Sequence, residues 1–131
     1  MKLSYKKLYT YKYTLVRQFN INIPIYEPCS IDKYVDLDKH GNLIIYKGYS
    51  WDGCSGPTID TKSSMVAGLV HDAIYQIMRE GKLDRKYRKT ADILFRKLCI
   101  SNGMSRLRAW TWYIAIRLFS SKFVESDIIE V

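Results

Sequence analysis

Cysteine is scarce in this chain. Cys29, Cys54 and Cys99 are too few and too scattered for a disulfide framework. No C-x-x-C pair occurs, which argues against a structural zinc site. Long apolar runs are missing as well. The longest, Ala109 to Phe119, is broken by Thr111 and Arg117 and falls short of a membrane span. The basic start, Met1 to Thr10, lacks an apolar core of signal-peptide length, so the expectation is a soluble protein without a secretion signal. There is no internal repeat and no linker. At 131 residues the chain is long enough to bury a core unaided, and a single domain spanning 1–131 is expected.

Acidic residues are in the minority, 13 against 21 Lys and Arg, for a formal charge of +8. Such an excess draws a protein toward anionic partners: nucleic acid, acidic proteins or lipid headgroups. The charge is spread in three groups, Lys2 to Lys12, Lys82 to Lys97 and Arg106 to Arg117, and a plain solvated surface accounts for it equally well. No groove-reading motif supports nucleic acid as the partner.

The pattern along the chain predicts an α+β protein, with N-terminal antiparallel strands and a hairpin followed by three packed helices. Residues 1–47 are β-rich. Tyr5 to Phe19 is dense in Tyr, Thr, Leu and Val. Ile21 to Ile23 alternates before Pro24 and Pro28 interrupt, as in an edge strand or an extended loop. Tyr34 to Leu37 and Leu43 to Tyr46 flank Asp38-Lys39-His40-Gly41-Asn42, which reads as a hairpin. Residues 48–60 form a Gly-rich shaped loop. Residues 61–120 read as helices: one capped by Asp60 or Thr61 and stopped at Gly81, one from Arg85 or Tyr87 to Ile100, and one capped by Ser105 and reaching Phe119. Residues 121–131 are a tail, acidic from Val124.

One constellation carries chemistry. On the first helix His71 and Tyr75 are four apart, sharing much of a face with Ala67, Ile74 and Met78. Asp72 sits about 100 degrees round, nearer the rim. On the second helix Asp92 shares a side with Phe95 and Cys99. A carboxylate on an apolar face needs a partner, and His71 or Tyr75 is the natural one. An acid holding one imidazole nitrogen leaves the other free to act as a base. The same residues can equally form a buried polar network that only specifies helix packing. The Gly-rich loop can point backbone carbonyls at one spot and, with Asp72 or Asp52, hold a hard cation such as calcium; it can also be a tight turn that packs Trp51. A Cys54–His71 pair has nothing to orient it. The third helix is strongly aromatic. Leu107, Trp110, Ile114 and Arg117-Leu118 follow a helical stripe, with Arg108, Trp112 and Tyr113 elsewhere round the helix; most of it is expected to pack in the core, the alternatives being a helix laid on lipid headgroups or a base-stacking face.

Tyr49-x-Trp51-Asp52-Gly53-x-Ser55-x-Pro57, Ala67-Gly68-Leu69-Val70-His71-Asp72-Ala73-Ile74-Tyr75 and Ala91-Asp92-Ile93-Leu94-Phe95 together resemble an uncharacterised family of bacteriophage and prophage proteins. Members of that family show an Asp-Gly-x-Ser-x-Pro loop, a His-Asp-x-x-Tyr helix, an Ala-Asp-x-x-Phe helix and a terminal aromatic-basic helix. The likeness covers roughly Tyr34 to Phe119. It implies a phage protein located in the host cytoplasm or the virion, and no activity.

A second, more distant similarity is to the small calcium-dependent phospholipases, secreted and parvoviral. These place a Gly-rich calcium loop before a His-Asp-x-x-Tyr helix, with another Asp on a later helix. The resemblance implies His71 as the base that activates water and Asp92, supported by Tyr75, as the group that orients it. It implies Asp72, with Asp52 and the carbonyls of the Gly53 to Gly56 stretch, as the calcium site. Ala67, Gly68 and Ile74 stand where the secreted enzymes carry disulfide cysteines; the parvoviral kind lacks those bridges too. Two functions therefore stay open: a phage-encoded ester hydrolase acting at a lipid surface with calcium, and a non-enzymatic virion component or inhibitor of a host protein.

Overall fold

A computed structural model describes residues 3, 5–7, 13–51, 62–119 and 121. By its contacts the chain divides into two compact units, Met1–Gly53 and Cys54–Val131. The division falls inside the Gly-rich segment.

The first unit holds seven strands among the described residues: β1 (Tyr5–Lys7), β2 (Tyr13–Leu15), β3 (Phe19–Asn22), β4 (Cys29–Ile31), β5 (Val35–Leu37), β6 (Asn42–Ile45) and β7 (Ser50–Trp51). All pairings are antiparallel, in a three-stranded sheet β1-β2-β7 and a four-stranded sheet β3-β6-β5-β4. Alternation decides which face of the larger sheet is buried. Phe19, Ile45, Val35 and Ile31 form one cross-strand row on the buried face, and Leu43 and Leu37 stand in the next. Asn20, Asp36 and Ser30 occupy the opposite face and are exposed. In the smaller sheet Tyr5, Tyr13 and Trp51 cluster, with Tyr5 edge-on to Tyr13 at 5.1 Å and Tyr13 at 5.5 Å from Trp51.

The β5–β6 hairpin appears where the sequence placed it. Asp38 organises its turn by accepting from the backbone N–H groups of His40 and Asn42 at 2.8 and 2.9 Å. Gly41 has φ +81°, and a Cβ there would lie 2.1 Å from the Ile23 carbonyl oxygen, so only glycine fits. β3 lies at the sheet edge, as the interruption by Pro24 suggested. Two strands were not foreseen. β4 follows Pro28 and enters a turn whose left-handed residue is Lys33, at φ +71°. β7 takes Ser50 and Trp51 out of the expected 48–60 loop, because Tyr13 and Thr14 pair with them.

The second unit holds three helices, α1 (Lys62–Arg79), α2 (Arg88–Ser101) and α3 (Arg106–Phe119), with a 3-10 turn at Arg85–Tyr87. Their ends follow from local chemistry. Gly81 and Gly103 take φ of +72° and +102°. Behind them Lys82 N–H reaches the Ile77 carbonyl and Met104 N–H the Cys99 carbonyl, satisfying the last turns of α1 and α2. Ser105 caps α3 by accepting from the Arg108 N–H at 3.2 Å. The caps expected at Asp60 or Thr61 lie outside the described residues.

α3 corrects one expectation. Leu107 (78% exposed), Trp110 (49%), Ile114 (43%) and Leu118 (68%) face outward, whereas Ala109, Trp112 and Ile116 are buried. The helix carries an apolar stripe on each of two opposite faces, and the narrower, smaller one is the core face.

Candidate functional site

The site is built from the three helices of the second unit. α1 is buried over most of its surface from Ser64 to Met78, with Asp72 and Gln76 half-buried one turn apart. His71 and Tyr75 stand one turn apart on it, with ring centroids 4.0 Å apart. α2 packs against α1 and α3, and its buried residues, Ala91, Asp92, Phe95, Leu98 and Cys99, follow helical spacing. Phe95 meets the His71 ring edge-on at 5.4 Å and stacks on Trp112 of α3 at 6.0 Å. These aromatics hold the imidazole in place.

Asp92 is the hub. Its side chain is fully buried. Oδ1 lies 2.7 Å from His71 Nε2 and accepts from the Tyr75 hydroxyl at 2.5 Å. Oδ2 accepts from Arg117 Nη1 at 2.8 Å. Arg88, at the start of α2, donates from Nη2 to the Arg117 carbonyl oxygen at 2.8 Å, near the negative end of α3.

The electrostatics follow from these contacts. Burial alone would push the Asp92 carboxyl up. The hydrogen bond and charge of His71, with the bonds from Tyr75 and Arg117, outweigh it and hold the group below its ordinary value. Tyr75 moves the other way: burial first, then the hydrogen bond to a carboxylate, push its phenol far above the ordinary value, against a smaller opposite pull from Arg88. The hydroxyl therefore stays a donor. With Asp92 ionised, Nε2 carries the proton it donates, and a neutral ring held this way would have its lone pair on Nδ1.

The structure thus brings together His71, Tyr75 and Asp92, the three residues expected to act as one group. His71 is only 3% exposed, so its ring is enclosed rather than open to a cleft. Asp72 follows it on α1, half-buried and engaged in contacts of its own. Asp52, Gly53, Cys54 and Gly56 lie outside the described residues. Among the described residues no group of three His, Cys, Asp or Glu is gathered to hold a metal ion, and no helix is long and apolar enough to cross a membrane.

Arg117 was missed as a member of the site. The signal was present: a carboxylate on a buried helix face calls for a cation, and α3 has no acid to compete for one. Its position about 80 degrees from Ala109 on the core face disguised it, because the guanidinium reaches back over a long stem.

Comparison with curated proteins and with solved structures gave no match in either set. A family model described as "Protein of unknown function (DUF1353)" matches residues 31–116, a span that holds His71, Tyr75 and Asp92, and the chain belongs to that family.

Proposed function

We propose that this is a phage-encoded hydrolase of lipid esters in which His71 is the general base, Asp92 its positioning partner and Tyr75 a support for both. The observation that supports the reading is the 2.7 Å contact between His71 Nε2 and a buried carboxylate; with Nε2 donating, the neutral ring would offer Nδ1 as the base. In this reading the packing round the enclosed ring opens to admit water and ester, and Nδ1 takes a proton from the water as its oxygen attacks the ester carbonyl carbon. The tetrahedral intermediate then expels the alkoxide, which receives the proton back from Nδ1, giving a fatty acid and an alcohol. Asp92 and Arg117 do not exchange protons in this scheme; they hold the ring and its tautomer.

The calcium ion belongs to the phospholipase resemblance, through Asp72, Asp52 and the Gly53 to Gly56 stretch. When bound, such an ion supplies charge that stabilises the oxyanion. The protein would act in the host cytoplasm or as part of the virion.

A second reading has its own observation. His71 is 3% exposed and Asp92 is fully buried, as suits a network that only locks α1, α2 and α3 together in a non-enzymatic virion component or inhibitor.

The test is fatty-acid release from mixed lipid vesicles, with calcium and with chelator, for wild type, His71→Ala and His71→Gln. The amide of Gln can still donate to Asp92 but offers no basic lone pair. Release by wild type that both variants lose, with Gln keeping the wild-type melting temperature, supports the hydrolase. Absence of release from folded wild type in every lipid and calcium condition removes it and leaves the structural reading.

A further inference from the structure

We infer that the outward face of α3 is a docking surface for an anionic lipid bilayer. At about 100 degrees per residue, Leu107, Trp110, Ile114 and Leu118 fall within an arc of about 80 degrees. They form one continuous apolar stripe along a helix roughly 21 Å long. The stripe is not the core face, since Ala109, Trp112 and Ile116 fill that role on the opposite side.

Charge selects the occupant. Residues 88–119 carry seven Lys and Arg against one acid, Asp92, and that acid is buried and paired to Arg117. Arg106 and Arg117 flank the stripe on one side and Arg108 on the other, by the same helical angles. Arg96 of α2 lies 4.7 Å over the rings of both Trp110 and Tyr113, so a guanidinium sits beside the indole at the edge of the apolar strip. Aliphatic side chains flanked by arginines, with a Trp at the boundary, match a bilayer whose acyl region takes the stripe while its phosphates meet the cations. A nucleic acid has no use for Leu107, Ile114 and Leu118. A second copy of the chain would bring one cationic face against another. This inference deepens the lipid-ester reading, because Arg117 belongs both to the flank of the stripe and to the Asp92 network, and it can fail separately from that reading.

The experiment is co-sedimentation with vesicles of phosphatidylcholine alone and of phosphatidylcholine with phosphatidylglycerol, at low and high salt. The proteins are wild type and the double variant Leu107→Ser/Ile114→Ser. Both serines replace exposed residues, so the double variant keeps the wild-type melting temperature. Wild type is expected to bind the anionic vesicles and to weaken severalfold on neutral vesicles or in high salt. The double variant is expected to lose at least about tenfold in affinity. The inference is overturned by absence of binding to anionic vesicles or by undiminished binding of the double variant. It is overturned equally if wild type is a dimer in solution that the double variant dissociates, or if a DNA duplex binds more tightly than the vesicles. Vesicle binding without fatty-acid release sinks only the hydrolase; release from a soluble ester without vesicle binding sinks only the docking surface.

Discussion

Removing the Asp92 carboxylate tests whether it is the hub that ties the three helices. In Asp92→Ala the Tyr75 hydroxyl and the His71 Nε2–H lose their shared acceptor inside the fold. Each donor left without a partner costs about 1–3 kcal/mol. Arg117, whose side chain is 32% exposed, can turn to water and adds little. The desolvation of the carboxylate disappears with it, which offsets part of the loss. The net expectation is about 3–5 kcal/mol, the usual effect of breaking a buried pair from one side. That is a large share of the roughly 5–15 kcal/mol that holds a domain together. Asp92→Asn keeps an oxygen for His71 and Tyr75 but turns an N–H donor toward Arg117, and should cost about 1–3 kcal/mol. The assay is the urea midpoint of the helical circular-dichroism signal, with the slope compared across variants. A loss below about 1 kcal/mol in Asp92→Ala would refute the buried hub.

Acid should weaken the fold through the same group. Because the Asp92 carboxyl is held below its ordinary 3.8, the stability it contributes is present above that value and lost as pH falls through the depressed one. Asp92→Asn should flatten this acid limb in melting curves. Tyr75 predicts the alkaline side: its phenol stays neutral in the fold while the unfolded chain ionises, so stability falls as pH rises past 10.0. Tyr75→Phe should remove that slope while costing about 1.5–3 kcal/mol at neutral pH, the value of a hydrogen bond to a charged group; an unchanged slope would count against the bond. In the first unit, Gly41→Ala combines a left-handed φ with a Cβ driven into the Ile23 carbonyl, and chemical denaturation should show a loss exceeding the roughly 1–2 kcal/mol of the backbone strain alone. Lys33→Gly should do the opposite, gaining about 0.5 kcal/mol once the entropy of glycine is subtracted from the relieved strain.

The helices were legible because their punctuation is chemical. Gly81, Gly103 and Ser105 each do at a helix end what their residue type does best, and the ends fall beside them. The His71–Tyr75–Asp92 group was legible for a different reason: an acid among Ala91, Phe95 and Cys99 demands donors, and a helix with His and Tyr four apart offers two. β4 was hidden because its turn uses Lys33 in a conformation that glycine or asparagine normally advertises. α3 was misread because periodicity reports that a stripe exists and not which of two stripes faces inward. Trp112 and Ile116 with a small Ala109 bury well, while the bulkier stripe of Leu107, Trp110, Ile114 and Leu118 is left outside. The Gly-rich loop, on which the calcium reading depends, lies mostly outside the described residues.

Arg117 gives the network its direction. A buried carboxylate needs positive charge close by, and if His71 were the sole partner it would have to supply that charge as an imidazolium, with no lone pair left for chemistry. Here Oδ2 is met by a guanidinium at 2.8 Å, and Oδ1 by a phenol and one imidazole nitrogen. Arg117 is carried by the helix whose outer face is apolar and cationic, and its own carbonyl is pinned by Arg88 of α2. If the outer face of α3 meets a bilayer as inferred above, Arg117 ties that face to the Asp92 carboxylate.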